Sequence, residues 1–172
     1  MTLAQLFDGV AYKRLVASDL PKMRSNQHEL TGVRTLRPLF GTNSKFRGRM
    51  IWVFFPTKGQ PAQEENEFTF YDARAKGAQR TGRSEWKLYY YGTFLSRAQI
   101  GDLLVFANCR ARGWLGLIFS KSSAAYAEAV SLFALDATTS LDRLSTELLE
   151  TRVWDESQTP VLSGWFHASI PN

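Results

Sequence analysis

Cysteine is all but missing. Cys109 stands alone in 172 residues, so no disulfide framework can staple the fold. Only two histidines accompany it, His28 and His167, too few for the usual Cys/His zinc cluster. Proline (6) and glycine (12) are too sparse for a collagen-like or low-complexity chain. No apolar run approaches the roughly 20 residues that cross a bilayer. The opening MTLAQLFDGV has neither the basic start nor the apolar stretch of a secretion signal. The default expectation is therefore one domain, residues 1–172, in the cytoplasm and with no membrane partner.

What is plentiful is positive charge, unevenly spread. The net charge is +5. Residues 1–92 hold 15 basic and 8 acidic residues, a net of +7, and residues 93–172 hold 6 and 8, a net of −2. Such a separation fits one basic face, the electrostatic footprint of a polyanion binder, or a basic surface that is merely solvated. Three basic groups stand out: Lys13, Arg14, Lys22, Arg24, Arg34 and Arg37; then Lys45, Arg47 and Arg49; then Arg74, Lys76, Arg80, Arg83 and Lys87. Residues 22–29 (KMRSNQHE) and 74–84 (RAKGAQRTGRS) are polar and lack apolar periodicity, so both read as exposed loops.

Aromatics are the second surplus, with 12 Phe, 6 Tyr and 5 Trp. Residues 10–16, 50–55, 67–72, 85–91, 102–107 and 114–119 read as strands, the last two as a hairpin around 110–113. Residues 59–66 read as a polar, acidic loop. Short helices are expected at 2–7, from Ser96 to Ile100, and over 122–133 with Ser122 or Ser123 as cap. Another is expected over 141–151, where Leu141, Leu144, Leu148 and Leu149 form a stripe. The tail, 153–172, reads as irregular, with Trp165-Phe166 packed back. Six or seven strands and two or three helices make a mainly β (β-rich α+β) domain, a small barrel filled by large side chains.

Hydrolytic triads find no support, since neither histidine stands near a nucleophile motif. Cys109 beside Arg110 reads as an inert, half-buried thiol rather than a reactive thiolate. Residues 41–45 (GTNSK) lack the glycine spacing of a phosphate loop. Asp72 followed by Glu85-Trp-Lys87 matches the loose Asp…Glu-x-Lys arrangement of Mg²⁺-dependent nucleases, in which two carboxylates hold the ion and the lysine steadies developing charge. The same stretch also suits base reading: arginine for guanine, glutamine for adenine, and a carboxylate for cytosine. Gln79, Arg80, Thr81, Arg83 and Glu85 supply such groups, as do Arg24, Ser25, Asn26, Gln27 and His28 in the first loop. Glu85 has a plainer alternative, a pairing with a neighbouring Arg or Lys. Lys45, Arg47 and Arg49 would hold phosphates. A third possibility is single-strand or RNA binding on Trp86 and Tyr89–Tyr91.

The stretch Tyr12-Lys-Arg-Leu-Val-Ala-Ser-Asp19, followed by Asn26-Gln-His-Glu-Leu-Thr-Gly32, resembles the opening of the N-terminal effector domain of EcoRII-like type II restriction endonucleases. Phe70-Tyr-Asp-Ala-Arg74, Gly77 and Arg80 resemble the second recognition arm of that family, and Ile100-Gly-Asp-Leu-Leu-Val-Phe106 its barrel-closing strand. The chain departs from the family in two places. The first arm lacks a glycine pair, and the family's C-arm acid falls on Gly82 rather than Glu85. The resemblance implies a seven-stranded pseudobarrel with short flanking helices, shared with the plant B-three transcription-factor domain. It implies a monomer that reads a CCWGG-type site in the major groove. Arg24, Asn26, Gln27 and His28 would lie in an N-arm, and Gln79, Arg80, Arg83 and Glu85 in a C-arm. Arg74, Lys76 and Lys87, from the third basic group, are also expected to bind DNA. It further implies no cofactor and no catalysis in this domain, a tethered Mg²⁺-dependent nuclease domain beyond residue 172, and a bacterial cytoplasm.

Overall fold

The computed structural model describes residues 1–21, 28–41, 43–75 and 83–168. Its frame is one sheet curled into a half-barrel. The strands are β1 (Phe7–Arg14), β2 (Glu29–Thr31), β3 (Lys45–Phe55), β4 (Ala62–Asp72), β5 (Trp86–Tyr90), β6 (Leu103–Cys109), β7 (Gly113–Phe119) and β8 (Leu141–Arg143). They stand in the order β2-β5-β4-β3-β7-β6-β1-β8, antiparallel throughout except for the β3–β7 pair. The described helices are short: α1 (Leu3–Leu6), α2 (Arg37–Phe40), α3 (Ala124–Leu132), α4 (Thr146–Thr151) and α5 (Pro160–Ala168), with 3₁₀ turns between. None is long and apolar enough to cross a membrane.

The protein is mainly β, as expected, but the described strands number eight rather than seven. The two edge strands, β2 and β8, were not among the six ranges expected from the sequence. β2 and β8 are three residues each, too short to show alternation. Four further expectations are corrected. Residues 62–66 are not loop but the first half of β4, opposite Phe54 to Met50 of β3. Leu141 lies in β8, and the helix behind it starts only after Ser145, whose hydroxyl accepts the Leu148 N–H. The tail is helical over Pro160–Ala168, with Phe166 buried as foreseen. Cys109 is fully rather than half buried.

Alternation along the strands builds two cores, one on each face of the sheet. Met50 and Trp52 point into the half-barrel with Leu30, Phe68, Phe70, Leu88 and Phe106. Val53 and Phe55 point outward, against Phe119, Leu132, Phe133 and Phe166. Each such side chain contributes about 1.5–3 kcal/mol relative to exposure. The turn Arg34–Leu36 and α2 lie across the open seam. Val33 N–H donates to the Trp86 carbonyl (3.4 Å), the turn touches β8, and Leu36 and Phe40 plug the interior. Helices α3 to α5 join the outer core. On β4, β5, β2 and the first half of β3, outward residues are instead exposed or half-buried.

Candidate nucleic-acid interface

Both loops singled out from the sequence attach to the same part of the sheet. The first precedes β2 and the second joins β4 to β5. Arg24, Ser25, Asn26, Gln27, Lys76, Gln79, Arg80 and Thr81 lie outside the described residues, but the roots of both loops are described. His28, at the first root, gives its carbonyl to the Tyr90 N–H (2.9 Å) and stacks its ring on Tyr90, with centroids 5.3 Å apart and planes at 25°. Burial pushes the Tyr90 phenol above its ordinary pKa. The Asp19 carboxylate, whose charge acts on Tyr90, accepts the Val16 N–H (2.9 Å) and pairs with Lys13 (3.4 Å).

The second root is tied more heavily. One Asp72 oxygen accepts the N–H groups of Arg74 (3.0 Å) and Glu85 (2.9 Å), and the Ala73 N–H reaches the Glu85 carbonyl (2.8 Å). These bonds pin the two ends of the loop together. A chain of side chains continues across the outer face. Arg74 Nε pairs with Glu85 (2.9 Å), Lys87 lies between Glu85 (3.8 Å) and Glu29 (3.3 Å), and Tyr71 donates to Glu29 (2.5 Å). Burial and then the Glu29 hydrogen bond raise the Tyr71 pKa, so the phenol keeps its proton and remains a donor. The plainer alternative for Glu85 is thus what the structure shows: it is paired with Arg74 and Lys87. Arg83 is exposed at this root.

The nuclease-like residues Asp72, Glu85 and Lys87 do converge at this neck. Their groups are committed, however, Asp72 to backbone N–H donors and Glu85 to two cations. Among the described residues no three His, Cys, Asp or Glu side chains are placed to hold a metal ion.

Lys45, Arg47 and Arg49 alternate along the outer face of β3, facing Tyr71, Thr69 and Glu67 of β4 in register. Arg49 is held by Glu65 (2.6 Å), an exposed pair worth little in water. Lys45 and Arg47 are exposed and form no ion pair with a described residue. Beside them Tyr89 and Tyr91 meet edge to face at 5.1 Å, and Tyr91 is 47% exposed. A groove of about 250 Å³ runs between Arg47, Arg49, Thr69 and Tyr91. Trp86 is not part of this surface. It is buried, stacked on Phe70 at 5.0 Å and covered by the Arg37 guanidinium at 4.7 Å. Glu29 and Tyr71 were not singled out from the sequence as partners. They meet only because β2 and β4 flank β5, which no local pattern shows.

No protein-family model matches the chain, and no curated protein shows significant similarity to it.

Proposed function

We propose that the chain is a sequence-specific duplex-DNA-binding domain, the effector or target-recognition part of an EcoRII-like type II restriction endonuclease. On this proposal the two loops enter the major groove as arms, and the domain itself does no chemistry. Cleavage falls to a tethered Mg²⁺-dependent nuclease domain. The observation that carries it is the placement of the loop roots. One root meets β5 at Tyr90 and the other at Trp86. Four strand steps at about 3.3 Å separate them by roughly 13 Å, close to the ~12 Å width of the major groove. Lys45 and Arg47, exposed on the same region of sheet, suit backbone phosphates.

The direct test is a gel shift without metal at physiological salt, comparing a CCWGG duplex with a scrambled one. Preference for the intact site is expected. Equal, salt-sensitive binding to both would remove the assigned site, and no binding would remove the function. Within this assay, Arg80→Ala or Arg83→Ala is expected to cost about 1–3 kcal/mol on the preferred duplex and little on the scrambled one. Equal loss on both would reassign the arginine to phosphate.

Lys45→Ala and Arg47→Ala are expected to weaken both duplexes alike. Each should lower the slope of log K against log salt by about 0.9 for every phosphate that the side chain neutralises. Unchanged slopes would take β3 out of the interface. Exposed Tyr91 beside Arg47 favours a second reading, base stacking of a single strand on the outer face. Competition by single-stranded DNA of the same sequence distinguishes the two.

A further inference from the structure

The seam of the half-barrel carries a second cationic feature. A groove of about 600 Å³ is lined by Arg34, Thr35, Arg37, Pro38 and Arg143. Three of these five residues are arginines and none is acidic. Arg34 and Arg143 are exposed, and neither forms an ion pair with a described residue. The nearest acid along β8, Asp142, turns its carboxylate to the Arg143 N–H (2.7 Å) and stands on the opposite side of the strand. Cations gathered around one groove repel one another, and an anion between them relieves that repulsion.

The local backbone explains why they converge. Arg34 and Arg37 are three residues apart on consecutive helical turns. Arg143 comes from the acidic half of the sequence, delivered to the seam because β8 touches the turn Arg34–Leu36. Arg37 also places its guanidinium 4.7 Å over Trp86, the first residue of β5. One end of the groove therefore lies at the root of the β4–β5 loop, and the groove leads from there to the sheet edge at β8.

We propose that this seam groove binds backbone phosphates of the duplex, outside the base pairs that the loops read. The proposal rests on the DNA-binding function above and extends its footprint. Guanidinium groups suit this ligand, since their planar forks meet phosphate oxygens bidentately. Such contacts add affinity and fix orientation without carrying sequence information.

The test uses the whole chain and the same two duplexes. Arg34→Gln/Arg143→Gln keeps side-chain bulk at two exposed positions, so folding is preserved. The double variant is expected to weaken both duplexes by the same factor. Its log K against log salt slope should fall by about 1.8, at 0.9 per phosphate for two arginines. The ratio between intact and scrambled sites should stay unchanged. In phosphate-ethylation interference, positions outside the central pairs should lose their effect in the variant. Wild-type salt slope and interference pattern in the variant would overturn the seam site and leave the loop-mediated function standing. Failure of the wild-type chain to bind either duplex would overturn both.

Discussion

Alanine in place of Trp52 is expected to destabilise the protein by about 3–5 kcal/mol, read as a lowered urea midpoint at unchanged slope. Trp52 is 1% exposed and sits mid-strand in β3, between β4 and β7. It meets Tyr90 edge-on at 5.9 Å and Phe106 at 6.2 Å. Its bulk fills the space left by Gly116 across the parallel ladder. A Cβ at Gly116 would lie 2.5 Å from Cε3 and 2.6 Å from Cζ3 of the indole, a collision that a rigid ring cannot yield to. Gly116→Ala alone is thus expected to cost about 1–3 kcal/mol by overpacking. The two changes are coupled. In a Trp52→Phe background the collision is relieved, so the double variant should lose less than the sum of the singles. Trp52→Phe itself should be mild, because Trp52 Nε1 is buried without a hydrogen-bond partner among the described residues and phenylalanine removes that donor. Strict additivity would mean that the indole does not occupy the Gly116 space.

The same residues show how far a sequence speaks for its fold. Residues 50–55 and 114–119 were legible as strands because their apolar runs are long enough to stand without context. Gly116 gave no sign of what it faces, since its partner is 64 residues away in sequence. Residues 62–66 look like loop because four of the five are polar. They pair nonetheless, because β3 runs on past its apolar part and offers them a ladder. The stripe through Leu141, Leu144, Leu148 and Leu149 was real as a set of apolar positions, but two elements share it. The partners of Glu85 and Lys87 were not legible, because they depend on which strands flank β5. Some motif residues serve the fold. Asp102, in the Ile-Gly-Asp stretch, is buried and accepts the N–H groups of Gln99 (2.8 Å) and Lys121 (3.0 Å). Tyr12, Lys13, Leu15 and Asp19 of the opening motif are all buried.

Within that opening motif, Asp19→Ala is expected to cost about 3 kcal/mol or more. Asp19 is 3% exposed and Lys13 8%. Removing the carboxylate leaves the Lys13 ammonium buried without its counter-charge and orphans the Val16 N–H. An uncompensated buried charge costs more than the pair did. Lys13→Met added to Asp19→Ala should therefore recover part of the loss, which a simple packing defect would not allow. Burial raises the Asp19 carboxyl pKa above its ordinary 3.8, although the Val16 N–H and Lys13 pull it down. The native state thus binds this proton more tightly than the unfolded chain does. The group's contribution is complete below about 3.8 and falls as pH rises through the native value. Asp19→Asn keeps an acceptor for Val16 and cannot titrate, so the stability difference should move in favour of the Asn variant as pH rises through that window. The Asp19 charge also acts on Tyr90, on which His28 stacks at the first loop root. Asp19→Ala should accordingly weaken binding to the preferred duplex more than to the scrambled one. A variant that unfolds at the wild-type urea midpoint would show that Lys13 reaches water and that the pair contributes nothing to the fold.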